Sequence, residues 1–197
     1  MKAKQLSIFE LSTSSTEKRS YKERLVHGGE KTKGKRKLRR PLATKKWMHL
    51  VLKSSAAKGA LSMLSPRHAN KVEKLIQEKA RKFDIDLKEF VNMGNHIHFQ
   101  FRIKSREKFQ SFLRAITCLI ARIVTGAKRG FKFGKFWDGL AFTRIVSTLD
   151  ELVRLEGYLR ANLIERRHGY RARTIYLTAL NNWIKKLKAQ GIQPIIS

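Results

Sequence analysis

Beyond residue 46 the apolar positions fall into periods that predict an alternation of strands and helices. Residues 47–53 (Trp-Met-His-Leu-Val-Leu-Lys) are rich in β-formers and carry large apolar groups on both faces, the pattern of a central strand. Pro66 opens a helical stretch over about 66–82, in which Ala69, Val72, Leu75, Ile76, Ala80 and Phe83 recur at three- and four-residue steps. Residues 86–93 and 96–103, divided by Gly94 and Asn95, read as a β-hairpin. The second of these runs has the sharpest period of two in the chain. Ile97, Phe99, Phe101 and Ile103 alternate with His96, His98, Gln100 and Arg102, so one face belongs to the core and the other is polar.

Ser105 is placed to cap a helix over 106–125 with the stripe Phe109, Phe112, Leu113, Ile116, Ile120, Ile123 and Val124, and Gly126 ends it. Residues 136–146 are extended with one turn. Thr148 and Glu151 form a capping box for a helix that runs to about Arg166 and stops at Gly169. A last amphipathic helix follows over about 174–189, with Leu177, Leu180, Trp183, Ile184 and Leu187. The order predicts an α+β fold: an antiparallel central sheet with ferredoxin-like split β-α-β topology, packed by helices. Residues 1–45 show no sustained apolar period and are rich in Lys, Arg, Ser, Thr and Gly, so a flexible basic arm is expected there.

Charge then narrows the class of partner. The 197 residues hold 44 Lys and Arg against 15 Asp and Glu, a formal charge of +29 that calls for an anionic ligand. The surplus is not confined to the arm: residues 1–40 hold 13 basic against 4 acidic residues, and the rest 31 against 11. An apolar share of 42% suffices for one core, which excludes full-length disorder. Cys118, the single cysteine, excludes an intramolecular disulfide framework and a multi-cysteine zinc site. No apolar run approaches the roughly 18 residues that span a bilayer, and no signal-peptide core is evident. A cytoplasmic, nucleoid-associated protein with no membrane partner is expected.

Candidate phosphate contacts are Lys31, Lys33, Lys35, Arg36, Lys37, Arg39 and Arg40 in the arm, and Arg102 on the polar strand face. Lys128, Arg129, Lys132 and Lys135 join them, interleaved with Phe131, Phe133, Phe136 and Trp137. For these loop aromatics, burial in the core is expected ahead of base stacking.

Two constellations have the residue types for chemistry. His96 and His98 leave the same strand face about 6.6 Å apart, where two imidazoles can converge on a divalent ion or serve as ordinary polar-face residues. No Gly-x-Ser-x-Gly elbow and no phosphate-cradling Gly-rich loop occurs, and Cys118 falls on an apolar-rich helix where a packed thiol is expected. Tyrosine is the remaining nucleophile. Tyr158 lies mid-helix beside Leu152, Leu155, Leu159 and Leu163, with Asn162 one turn further on the same face. The pair is either a nucleophile beside an amide ligand or the boundary of an amphipathic helix. His49, on the neighbouring strand, either lines the histidine face or packs beside it.

Together these pieces resemble the single-tyrosine His-hydrophobic-His transposases, and among them the REP-associated tyrosine transposases. The resemblance rests on the strand His-Leu-Val-Leu-Lys from His49, and on Met-Gly-Asn-His-Ile-His-Phe from Met93 where the family typically has Met-Pro-Asn-His-apolar-His. Phe-Trp-Asp-Gly from Phe136, in a segment ending near Arg144, and Tyr-Leu-Arg-Ala-Asn from Tyr158 follow in the family's order over about 46–166. It implies a transposase domain over 46–168 and says nothing of the helical extension 169–197. It further implies that His96, His98 and Asn162 hold a divalent metal, Mg or Mn, and that Tyr158 attacks the scissile phosphate of single-stranded or hairpin DNA. The product would be a 5′-phosphotyrosine and a free 3′-OH, made by a monomer or by a homodimer with exchanged tyrosine helices. Gly94 in place of proline is expected to alter turn stiffness more than chemistry, Leu163 stands where the family often has proline, and some members carry Gln at the position of Asn162. The competing reading is a domesticated, non-catalytic nucleic-acid-binding protein. The joint presence of His96, His98, Tyr158 and Asn162 favours the enzyme.

Overall fold

In the computed structural model, residues 25–29, 39–131 and 133–192 are described. The elements are β1 (Val26–His27), β2 (Met48–Lys53), α1 (Ala69–Lys82), β3 (Ile85–Asn92), β4 (His96–Ile103), α2 (Arg106–Thr125), β5 (Phe142–Ile145) and the long helical run α3 (Leu149–Ala189). They fall into two compact units, Val26–Val146 and the chain from Ser147 onward. A strand of the sheet, β1, lies upstream of residue 46.

The first unit is a five-stranded antiparallel sheet in the order β1-β5-β2-β4-β3. Its β2-α1-β3-β4-α2-β5 portion has the expected ferredoxin-like connectivity, and β1 is added at the β5 edge. Val26 pairs with Arg144 and His27 with Thr143, so part of the expected flexible arm is ordered strand. A two-residue strand has too few positions to show a period, which is why the sequence pattern passes over it.

Register decides which face is core. Met48, Leu50 and Leu52 stand opposite Phe101, Phe99 and Ile97, and all six are buried. α2 covers this face, with Phe109 stacked on Phe101 at 5.4 Å between ring centroids and Phe112 edge-on to Phe99 at 6.5 Å. Truncating either sheet phenylalanine to alanine would cost about 3–5 kcal/mol. A strand period of two then obliges His49, His96 and His98 to the opposite face.

The ends of α2 follow its sequence. Ser105 Oγ accepts a hydrogen bond from Lys108 N at 3.1 Å, and Gly126 adopts φ +69° at the C-cap. α1 begins at Ala69 rather than Pro66, after the turn in which Ser65 Oγ lies 2.8 Å from His68 Nδ1.

In the second unit Thr148 Oγ1 accepts from Glu151 N at 3.2 Å, while the Glu151 carboxylate accepts from Ser147 N and Oγ, both at 2.8 Å. The box thus reaches one residue further back than the usual form. Gly169 breaks α3 with φ +83° and ψ 174°, and the second arm starts directly after it rather than near 174. The arms face each other through the Asp150–Lys188 ion pair at 3.0 Å, the Arg173–Glu165 pair at 3.2 Å and the bare backbone of Gly157. A Cβ at Gly157 would overlap Leu180. No described helix is long and apolar enough to cross a membrane.

Candidate active site

β4 carries the first half of the candidate chemistry. His96 and His98 share the face of β4 opposite the α2-covered core, with ring centroids 4.7 Å apart and planes nearly perpendicular at 88°. His98 is buried, and its Nδ1 lies 3.1 Å from His49 Nε2 on β2, the two rings stacked at 5.4 Å. His49 therefore lines the histidine face. Behind it the Phe142 ring stands edge-on at 5.9 Å, and Arg144 occupies the facing position on β5. Burial, reinforced by the Arg144 charge, pushes the His49 pKa down to about 3, so this ring is neutral at physiological pH.

The turn that delivers His96 is pinned at several points. Met93 N donates to His96 O at 2.9 Å, Met63 N to Gly94 O at 2.9 Å and Ser54 N to Asn95 O at 2.8 Å. Asn92 spans it, accepting from Gly94 N at Oδ1 and donating through Nδ2 to Met63 O, both at 2.9 Å. Gly94 has φ +88°, a conformation closed to proline, and a Cβ there would come 2.8 Å from Ser62 Oγ. The departure from the family motif changes turn geometry and not stiffness alone. Asn95 Oδ1 sits 2.6 Å from His96 Nδ1.

The second half of the chemistry lies on the first arm of α3. Tyr158 and Asn162 are one turn apart and both buried, Asn162 completely. Burial raises the Tyr158 pKa above the ordinary tyrosine value; the Asn162 amide and the Arg173 charge act against that rise, and Glu165 adds to it. Arg173 comes from the second arm, its guanidinium 5.7 Å from the Tyr158 ring centroid and paired with Glu165. Its neighbours in sequence carry no motif, so only the fold of α3 at Gly169 reveals it.

The remaining candidates divide. Lys31, Lys33, Lys35, Arg36, Lys37 and Lys132 lie outside the described residues. Arg39 is exposed, but Arg40 is docked: its Nη1 donates to Ala141 O at 2.8 Å and Thr143 Oγ1 at 2.6 Å, and burial lowers its pKa to about 10. It holds the chain against β5. Arg102 is ion-paired with Asp86 at 2.6 Å and stacked over Trp47 at 4.4 Å. Lys128, Arg129 and Lys135 are exposed. A turn closed by Lys128 and Phe131 leaves Phe131 62% exposed beside a concavity of about 580 Å³, lined also by Arg122, Lys128, Arg129 and Phe133. Phe136 is buried as expected, whereas Phe131 and Cys118, both expected to pack, are at the surface.

Among the described residues no three His, Cys, Asp or Glu side chains converge as a metal cluster. An ion held here would rest on the two imidazoles of β4 with oxygen or amide ligands from elsewhere, a donor set suited to a divalent metal with open positions.

The chain is similar to known proteins. The family described as IS200-like transposase matches residues 43–162, a span that contains His49, His96, His98, Tyr158 and Asn162. The solved structure of a REP-associated tyrosine transposase bound to a REP hairpin is similar in fold, with a TM-score of 0.52 at 11% identity over 69% of this chain and 76% of that one. A transposase structure from Deinococcus radiodurans aligns at 16% identity over 64% of this chain and 98% of that one, with a TM-score of 0.41. No match is found among curated proteins. With more than half of its length matched by the family pattern, this chain belongs to the IS200-like transposase family.

Proposed function

We propose that the protein is a single-tyrosine DNA strand transferase that cleaves and rejoins single-stranded or hairpin DNA in transposition. The observation that supports this most is the hydrogen-bonded histidine face of β4, in a family member whose buried Tyr158 and Asn162 share a helix face. His96, His98 and Asn162 would hold a divalent ion, Mg or Mn, which supplies Lewis-acid polarisation of the scissile phosphate. Tyr158 Oη attacks phosphorus, the bond to the 3′ oxygen breaks, and that oxygen leaves with a proton as a 3′-OH. The strand is stored as a 5′-phosphotyrosine, so rejoining needs no ATP. Because the phenol is held above its ordinary pKa, it enters the reaction protonated and must lose its proton as the bond forms.

Binding falls to the basic surface. The exposed Lys128, Arg129 and Lys135, with the arm lysines and arginines, would track phosphates, and Phe131 offers a stacking face beside them. The protein would act as a monomer or as a homodimer, on DNA in the cytoplasm. Incubation with labelled single-stranded hairpin DNA and Mn²⁺ tests the reading. A protein–DNA adduct that survives denaturation is expected for the wild type and not for Tyr158→Phe. An adduct retained by Tyr158→Phe would move the nucleophile to another residue, and none across substrates and metals would favour the binding-only alternative.

A further inference from the structure

We propose that Asn95 and His49 are positioning residues that fix both imidazoles of β4 in one tautomer, Nδ1 protonated and Nε2 presented as the ligating nitrogen. The inference rests on the functional reading above, but its core is a hydrogen-bond pattern. A neutral imidazole has one protonated nitrogen and one lone pair, and the partner of one nitrogen decides which is which. Asn95 Oδ1 can only accept, so at 2.6 Å it requires the proton of His96 to sit on Nδ1. His98 Nδ1 lies 3.1 Å from His49 Nε2, both buried. For His98 to offer a lone pair at Nε2, its Nδ1 must donate and His49 Nε2 must accept. Each ring then has the same nitrogen committed to a protein partner, by two unrelated devices.

Both devices are themselves held. Asn95 belongs to the turn whose backbone is pinned by Ser54, Asn92 and Met63, so its side chain starts from a fixed point. His49 is locked by strand pairing opposite Gln100 and by the Phe142 ring edge-on to it. A ligating imidazole left to rotate would spend part of its time with a protonated nitrogen toward the ion; a fixed outer partner removes that loss, and removing such partners typically weakens metal affinity by about 10–100-fold.

The test uses the full chain labelled with ¹⁵N-histidine, reading ring nitrogens by long-range proton–nitrogen correlation and Mn²⁺ binding by electron paramagnetic resonance. The wild type should show pyrrole-like Nδ1 and pyridine-like Nε2 in His96 and His98. Asn95→Leu should mix the tautomers of His96 alone, and His49→Phe those of His98 alone, each with about 10-fold weaker Mn²⁺ binding. Asn95→Asp and His49→Gln, which keep an acceptor, should restore the wild-type pattern, and His49→Gln also covers the case in which His49→Phe fails to fold. A wild-type ring protonated on Nε2, or folded Asn95→Leu and His49→Phe proteins with unchanged tautomers, overturns the proposal. Correct tautomers in a wild type that binds no Mn²⁺ would uphold the hydrogen-bond assignment and count against the metal reading of the site instead.

Discussion

The two halves of the candidate chemistry are built on opposite principles. The histidine face of β4 is assembled by strand register, and the Nδ1 atoms of His96 and His98 are each hydrogen-bonded to a neutral group. The tyrosine half is assembled by a helical hairpin, and the charged groups near Tyr158 are Glu165 on its own arm and Arg173, which arrives only because Gly169 reverses the chain. Register is a rigid device, since a one-residue slip would turn every apolar side chain of β4 outward. A hairpin of two helic arms depends instead on a few contacts at their seam, so its precision is open to single substitutions.

The largest expected difference between the halves lies in chemistry. His98→Ala should lower metal-dependent cleavage by on the order of 10³-fold, several kcal/mol of barrier, while leaving DNA binding intact. Cleavage kinetics with filter binding on the same samples checks this. Arg173→Leu should mark the tyrosine half as the fragile one. It leaves the half-buried Glu165 without its ion-pair partner, and a loss of about 1–3 kcal/mol is expected in denaturant unfolding. Gly157→Leu should follow with about 1–3 kcal/mol, because the new side chain must displace Leu180 and part the two arms. If both variants are as stable as the wild type, the seam is not what holds the tyrosine helix.

The smallest effect belongs to the loop that leads into β5. Phe131→Ala touches no core and should leave stability unchanged, while weakening single-stranded DNA binding by about 1 kcal/mol through one lost stacking face. Binding should also fall with salt, with a log–log slope of about −0.7 for each phosphate neutralised. Equal affinity for Phe131→Ala would leave phosphate contact as the whole role of that loop.

Legibility in the sequence followed the same division. The period of two fixed β4 to its terminal residues, and Ser105, Gly126, Thr148 and Gly169 marked helix ends because each acts locally. His96, His98, Tyr158 and Asn162 were legible as candidates for the same reason. What long-range packing decides was not. Val26–His27 is too short for a period, Arg40 looks like any arm cation until Ala141 and Thr143 receive it, and Phe131 is apolar yet exposed because its turn projects it. Asn95 and His49 were legible as a turn residue and a strand histidine, but not the imidazole nitrogen that each one faces.

The most direct measurement of the central claim is peptide mapping of the protein–DNA adduct by mass spectrometry after nuclease digestion. The expected result is a nucleotide mass attached through phosphate to Tyr158, and to no other residue. Attachment at Tyr170 or Tyr176 on the second arm of α3 would contradict the assignment of Tyr158 as the nucleophile.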